Sequence, residues 1–230
     1  MAYDEELADR IRDLMAGEDG LTVQKMFGGV GFMAGPDQTL EVPLGVGGEA
    51  LHDWMVELEV WRRMAGQDGG LVNASTPVVE HSLTGFGAVV MGRNMFGGGR
   101  GAWAEDPPWT GWWGDDPPYH APVFVLTHHP RDPAPMEGGT TFFFVTDGIE
   151  AALARARDAA GDLDVLLAGG ANVLQQYLAA GLVDEFELHV APRVLGRGER
   201  LLEDVGDLRV EQVRAIEAPG VTHLRYRVLR

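Results

Sequence analysis

The stretch Asp164-Val-Leu-Leu-Ala-Gly-Gly-Ala-Asn-Val-Leu-Gln-Gln-Tyr-Leu178 gives the clearest indication of the fold. Its first part is a short apolar run, which is typical of a buried strand, and its last part has the apolar spacing of a helix. Gly169 and Gly170 form the turn between them. We therefore predict a strand over 164–168 and a helix over 172–179, which ends at Gly181.

A strand–turn–helix unit of this kind can bind a phosphate group. Because Gly169 and Gly170 have no side chains, a phosphate can approach their backbone closely, and the N–H groups and positive dipole end of the following helix then face it. The alternative is a tight turn that binds nothing, and the spacing alone favours neither interpretation.

Strands and helices alternate through most of the chain, and strands follow one another near its end. Apolar runs predict strands over 21–33, 88–91, 122–127, 140–145, 186–194 and 221–229, whereas helical spacing predicts helices over 5–15, 51–64 and 148–160. A long loop rich in glycine, proline and tryptophan spans 97–118. This order predicts an α/β fold with a mixed, mainly parallel sheet that is flanked by helices and has antiparallel strands at its C-terminal edge.

The composition excludes several classes of protein. The 230 residues carry a formal net charge of −17, which opposes binding to nucleic acid or to an anionic membrane. There is no cysteine for a disulfide, a thiolate nucleophile or a zinc-thiolate site. The single lysine, Lys25, follows Gln24, so the Gly-Lys-Ser/Thr loop of nucleotide triphosphatases is absent. No apolar stretch suits a signal peptide or a membrane span, and we expect a cytoplasmic protein.

Polar residues follow two other predicted strands. The run Met91-Gly-Arg-Asn-Met-Phe96 contains an arginine whose planar fork suits a phosphate, such as the 2′-phosphate of NADP; an ordinary surface ion pair is the alternative. The run Leu126-Thr-His-His-Pro-Arg131 offers donors for a nucleotide or forms a solvated loop. Its adjacent histidines point to opposite faces of an extended chain, so we predict no metal site. In a parallel sheet, these two runs and the turn at Gly169 and Gly170 fall at the same edge.

The chain resembles the dihydrofolate-reductase-like family that includes the RibD C-terminal reductase domain of riboflavin biosynthesis. The matching motifs are Ala34-Gly-Pro-Asp37, Met91-Gly-Arg-Asn-Met-Phe96, Pro122-Val-Phe-Val-Leu-Thr-His128, Gly169-Gly-Ala-Asn-Val173, Gly181-Leu-Val-Asp-Glu185 and Pro192-Arg-Val-Leu-Gly-Arg-Gly198. The resemblance implies a dihydrofolate-reductase-like fold over about residues 34–230 and NADPH as the cofactor. It places these residues at the cofactor: Gly92, Arg93, Asn94, Met95, Thr127, His128, Gly169, Gly170, Ala171, Asn172 and Val173.

The beginning of the chain resembles another family. Tyr3-Asp-Glu-Glu-Leu-Ala8 and Lys25-Met-Phe-Gly-Gly-Val-Gly-Phe32 are similar to the start of a TfoX N-terminal domain, from a family of competence regulators. Reductase relatives have a Ser-Leu-Asp-Gly-Tyr/Phe segment before Ala-Gly-Pro-Asp, but this chain has Phe27-Gly-Gly-Val-Gly-Phe-Met33. We expect a helical N-terminal extension over 1–20 and a dihydrofolate-reductase-like domain over 21–230.

The resemblance implies an NADPH-dependent reductase of a small heterocyclic or carbonyl substrate. Reduction needs a proton as well as a hydride, and the likeness to dihydrofolate reductase suggests Asp53 as the donor; a helix-surface acid is the alternative. We expect Trp109, Trp112 and Trp113 to line the substrate side or to contact a second subunit, since the apolar surface indicates a homodimer. The rival functions are a cofactor-binding domain without turnover and a non-enzymatic interaction protein of TfoX-like origin.

Overall fold

The computed structural model describes residues 44–97, 99, 101–103, 108–196, 198 and 200–229. The predicted N-terminal helix, the strand over 21–33, the TfoX-like segment and the Ala34–Asp37 motif lie outside the described residues. The boundary between an extension over 1–20 and the following domain therefore stays a prediction.

Two sheets organise the described residues. The strands of the first are β1 (Phe86–Gly92), β2 (Pro122–Leu126), β3 (Ala134–Pro135), β4 (Thr141–Val145) and β5 (Asp164–Gly169), in the order β3-β4-β2-β1-β5. β3 is antiparallel to β4, and the other pairings are parallel. The strands of the second are β6 (Glu185–Val190), β7 (Val210–Ala218) and β8 (Val221–Val228), which pair antiparallel in the order β6-β8-β7.

Helices cover both faces of the first sheet. They are α1 (Asp53–Val56), α2 (Glu59–Met64), α3 (Thr76–Ser82), α4 (Arg93–Phe96), α5 (Ile149–Ala160) and α6 (Ala171–Ala179), with 3-10 turns at Glu49–Leu51 and Glu137–Gly139. The predicted α/β class with a mixed, mainly parallel sheet is confirmed. The antiparallel strands form a sheet of their own within the described ranges, not the edge of the first one. No helix in those ranges is both long and apolar enough to cross a membrane.

The parallel strands are apolar throughout because both of their faces are buried. Val89 and Met91 of β1 pack in one core cluster with Trp54 and Met55 of α1. Ala88 and Val90, the alternate residues, pack in a second cluster with residues of α5 and α6. Side chains of a strand point alternately to its two faces, so burial of both faces requires a continuous apolar run.

The prediction of one continuous helix over 51–64 is wrong, because the structure has two separate helices there, α1 and α2. Leu58 has an extended backbone, with φ −70° and ψ 143°, and it separates α1 from α2. The neighbouring backbone bonds to Leu71: the Leu71 N–H donates to Glu57 O at 2.8 Å, and the Glu59 N–H donates to Leu71 O at 2.9 Å. These tertiary partners satisfy groups that a continuous helix would have satisfied internally.

A buried chain of polar side chains connects α3 to the second sheet. Ser75 Oγ lies 2.9 Å from His223 Nε2, and His223 Nδ1 lies 2.7 Å from His189 Nδ1. All three residues are buried, and the Trp54 ring packs against both imidazoles. Burial, followed by the nearby Arg214 charge, lowers the pKa of His223 to about 4. The imidazole is therefore neutral in the folded protein near pH 7.

Candidate functional site

A cavity of about 670 Å³ opens where the parallel strands of the first sheet end. Its walls include the carboxyl ends of β1, β2 and β4, the beginning of α6 and part of the loop after α4. Ligand pockets commonly have volumes of about 300–1,000 Å³, and in open α/β sheets they lie beyond the carboxyl ends of the strands. The cavity therefore has the size and position of a ligand site.

The cavity brings together ten of the eleven residues that the sequence assigned to a cofactor. They are Gly92, Arg93, Asn94, Met95, Thr127, His128, Gly170, Ala171, Asn172 and Val173. Gly169 precedes them at the end of β5 and is buried, with a φ of +105° that favours glycine. Contact of these residues with a cofactor stays a prediction, but the three sequence runs do meet at one edge of the sheet.

Two glycines shape the wall around the beginning of α6. A Cβ atom added at Gly170 would meet no protein atom within 4 Å, so this position faces open space. A Cβ added at Gly92 would lie 2.7 Å from Val173 Cγ2, so glycine there allows α6 to approach the end of β1. The first N–H groups of a helix have no acceptor within it, and here they lie beside the cavity with the positive end of the helix dipole.

An arginine side chain gives this cavity a positive charge. Arg93, His128 and His129 line it, and its described lining includes no aspartate or glutamate, although the chain has 35 acidic residues. Burial, and then the nearby Arg131 charge, lowers the pKa of Arg93 to about 10. Arg93 therefore remains charged at pH 7. In an acidic protein, a cavity with this lining is suited to an anionic ligand.

Arg93 and Arg131 meet at the ring of Trp103. The Arg93 Cζ lies 3.0 Å from the centroid of that ring, and the Arg131 Cζ lies 5.2 Å from it. Arg93 also donates to Gly99 O at 3.1 Å, and Arg131 donates to Trp109 O. Both arginines thus hold the loop that follows α4 against the cavity.

The turn after β2 is ordered by its own backbone and by β4. The Thr127 N–H donates to Val145 O at 3.0 Å, and the His129 N–H donates to Thr127 Oγ1 at 3.1 Å. Thr127 is buried as a result, whereas the His128 side chain is exposed at the cavity. Within the described chain, no group of three or more histidine or acidic side chains comes together in a way that could hold a metal ion.

Aromatic side chains form the apolar part of the cavity. Trp61, Trp112 and Trp113 line it. Trp113 is supported by the buried ring of Phe142, which stacks on it with centroids 6.1 Å apart. Trp109 lies outside the lining, where its indole N–H donates to Phe96 O at 2.9 Å. Two of the three tryptophans predicted for this side therefore lie at the cavity.

Asp53 does not line the cavity. It is the first residue of α1, its side chain is 59% exposed, and Oδ2 lies 3.2 Å from Arg193 Nη2. An acid in the first turn of a helix is stabilised in water by the helix dipole and by such a pair. The structure thus favours the surface-acid alternative and gives the predicted proton donor no support.

Several lining residues escaped the sequence reasoning. They are Leu44, Trp61, Gly99, Gly101, Val145, Thr146, Gly148, Ile149 and Gln176, whereas Leu126 and His129 belong to a run that the sequence analysis had singled out. Thr146 and Gly148 follow β4 just as Thr127 follows β2, so the position after a parallel strand was a usable signal for them. Gln176 lies one helical turn beyond Asn172, and its Nε2 donates to Asn172 Oδ1 at 2.8 Å. No sequence pattern pointed to Trp61.

Known proteins of similar sequence or structure provide a comparison. Over 66 residues the chain is 39% identical to the uncharacterized protein YyaP of Bacillus subtilis (strain 168); the match spans 27% of this chain and 35% of that protein. A putative riboflavin biosynthesis protein from Shewanella sp. PV-4 is 24% identical, with a TM-score of 0.48, over 69% of this chain and 81% of that one. The riboflavin biosynthesis reductase of Saccharomyces cerevisiae is 12% identical, with a TM-score of 0.42, over 68% and 81%.

A protein-family model identifies the chain more directly. The model that is described as the RibD C-terminal domain matches residues 63–224. This range includes β1 to β7 and the runs that meet at the cavity. Since the match covers more than two thirds of the sequence, the chain belongs to the RibD C-terminal domain family.

Proposed function

We propose that this protein is an NADPH-dependent reductase of a small heterocyclic or carbonyl substrate. The observation that carries the proposal is the cationic cavity at the carboxyl ends of parallel strands, in a chain of the RibD C-terminal domain family. Membership of that family supports the reductase chemistry, and the chemistry of the residues that line the cavity supports NADPH as the cofactor. The predicted homodimer stays a prediction.

The residues present fit a phosphorylated dinucleotide. Gly170 and the first turn of α6 would hold the pyrophosphate, because the backbone there faces open space and offers N–H donors to an anion. Arg93 would hold the 2′-phosphate, because its charge and planar donors match that group. NADPH, when bound, supplies the hydride of the reduction.

The aromatic part of the cavity is the proposed binding site for the substrate. Trp112 and Trp113 belong to the loop that Arg93 and Arg131 hold in place, and Trp61 comes from α2. Flat apolar rings bind a heterocycle through their faces and exclude water from the reacting atoms. Exclusion of water strengthens the electrostatic interactions that position charged groups in the site.

Titration of NADPH and NADH into the protein tests the proposal. A charge-assisted hydrogen bond contributes about 1.5–3 kcal/mol, so Arg93→Ala should weaken NADPH binding by roughly ten- to a hundredfold. NADH has no 2′-phosphate, and its dissociation constant should change by less than about twofold for the same reason. Calorimetry of each cofactor with the parent and the variant gives all four constants.

The matched control removes an arginine far from the cavity. Arg227 of β8 pairs with Glu185 and Glu211 and does not line the cavity, so Arg227→Ala lowers the net charge equally without touching the proposed site. Both cofactors should bind this control as they bind the parent. Equal weakening of NADPH and NADH by Arg93→Ala would show that Arg93 does not recognise the 2′-phosphate. A parent protein that binds neither cofactor contradicts the reductase proposal itself.

A further inference from the structure

We infer that Trp103 is a positioning residue, which orients the Arg93 guanidinium and thereby sets the preference for a 2′-phosphorylated dinucleotide. The inference rests on the proposed function. Trp103 itself does not line the cavity, so it acts through Arg93 and not by contact with the cofactor.

The indole ring of Trp103 is fixed from several directions. Its N–H donates to His129 O at 2.8 Å, which ties it to the turn after β2. The Phe144 ring of β4 and the Phe96 ring of α4 both make edge contacts with it, at centroid distances of 4.9 and 5.7 Å. A ring with these neighbours has a defined plane, and a cation that stacks on that plane acquires a defined orientation.

Stacking determines where the donors of Arg93 point. The N–H groups of a guanidinium lie in its plane, and the forked recognition of a phosphate uses donors in that plane. With Cζ 3.0 Å from the Trp103 centroid, the guanidinium is held against the ring face while its charge remains at the cavity. Trp103 therefore supports the face of the group, while Gly99 O accepts a hydrogen bond from Nη2 at its edge.

The same ring also keeps two like charges near each other. Arg131 lies 5.2 Å from the Trp103 centroid and depresses the pKa of Arg93 after the larger effect of burial. Two guanidinium groups repel each other, but the negative face of an indole ring attracts both. Loss of the ring would remove this attraction and allow Arg93 to turn away from Arg131 and from the phosphate position.

Trp103→Leu is the primary test. A cation–π contact contributes enough for NADPH affinity to fall by about three- to thirtyfold, with a change of less than about twofold for NADH. Trp103→Phe retains a ring face without the indole N–H, so it should keep the ratio of NADPH to NADH affinity within about threefold of the parent. Should Trp103→Leu fail to fold in a thermal melt, Trp103→Met serves in the same comparison.

Trp109→Leu is the matched control within the same loop. Trp109 also lies half-buried and donates its indole N–H to a backbone carbonyl, that of Phe96, whereas its ring packs edge-on against the ring of Trp112. If Trp103 only orders the loop, both leucine variants will shift the ratio of the two affinities equally, and the inference is wrong. The inference requires that only Trp103→Leu shifts this ratio.

A double-mutant cycle with Arg93→Ala gives the second test. If Trp103 acts through Arg93, Trp103→Leu should cause no further loss of NADPH affinity in a chain that already carries Arg93→Ala. Additive losses would overturn the inference. If the parent protein binds NADPH and Trp103→Leu leaves the affinities for both cofactors unchanged, only the role of Trp103 is refuted. If the parent protein binds neither cofactor, the proposed function is refuted and this inference with it.

Discussion

Replacement of Gly170 by valine should remove dinucleotide binding while the protein stays folded. The backbone at Gly170 has φ −76° and ψ −168°, which is an extended conformation that branched residues adopt readily. A Cβ at this position would contact no protein atom within 4 Å, so the new side chain would enter the cavity. There it would occupy the space in front of the α6 N–H groups, where the pyrophosphate is expected.

The size of the effect follows from the contacts that would be lost. An anion at a helix N-terminus accepts charge-assisted hydrogen bonds from the backbone, each contributing about 1.5–3 kcal/mol. Loss of even one such bond weakens binding by roughly ten- to a hundredfold. Because NADPH and NADH share the pyrophosphate, Gly170→Val should weaken both equally, whereas Arg93→Ala should weaken NADPH alone.

Gly92→Ala provides the contrast for the Gly170 experiment. Its Cβ would meet Val173 Cγ2 at 2.7 Å, so this methyl group would press against the side chain of α6 that packs there. Overpacking of that kind costs about 1–3 kcal/mol, and the melting temperature should fall more for Gly92→Ala than for Gly170→Val. Calorimetric titration and thermal melts measure both quantities. A Gly170→Val protein that binds both cofactors like the parent would refute a backbone site at this turn.

Two other predictions concern titration and catalysis. The pKa of the His223 imidazole is lowered from 6.5 to about 4 in the folded protein. As the pH falls from 7, the imidazole is therefore protonated in the unfolded chain before it is protonated in the folded one. The free energy of unfolding should decrease by up to about 3 kcal/mol between pH 7 and pH 4. His223→Gln should flatten that decrease in urea unfolding at several pH values, and a curve parallel to that of the parent would contradict the assignment. Asp53→Asn should leave NADPH oxidation within about twofold of the parent, because Asp53 lies outside the cavity; a loss above about tenfold in a steady-state assay would restore it as the proton donor.

Local sequence patterns predicted the parts of the fold that depend on neighbouring residues. The strand–turn–helix unit was predicted to within a residue or so: β5 is Asp164–Gly169 and α6 is Ala171–Ala179. Apolar runs located β1, β2 and β4 because strands that are buried on both faces must be apolar throughout. β7 escaped prediction because most of its residues are exposed and its apolar residues do not alternate regularly.

The local pattern was misleading where distant residues compete for the backbone. The segment from Leu51 to Met64 has helical spacing throughout, yet Leu71 bonds to the backbone of Glu57 and Glu59 and interrupts the helix. Helix propensity is small for each residue, so hydrogen bonds from another part of the chain readily override it. Such bonds cannot be recognised from the spacing of apolar residues alone.

The amino-acid order was sufficient to establish the class of fold, the edge of the sheet that carries the site and most of the residues that meet there. These features follow from strand and helix periodicity and from the rule that parallel strands end together. Which side chains face the cavity depended on the tertiary structure: it placed Asp53 outside the lining, added Trp61 and brought Arg93 over the ring of Trp103. Those relations join residues far apart in the chain, and they depend on packing between elements, which no local pattern encodes.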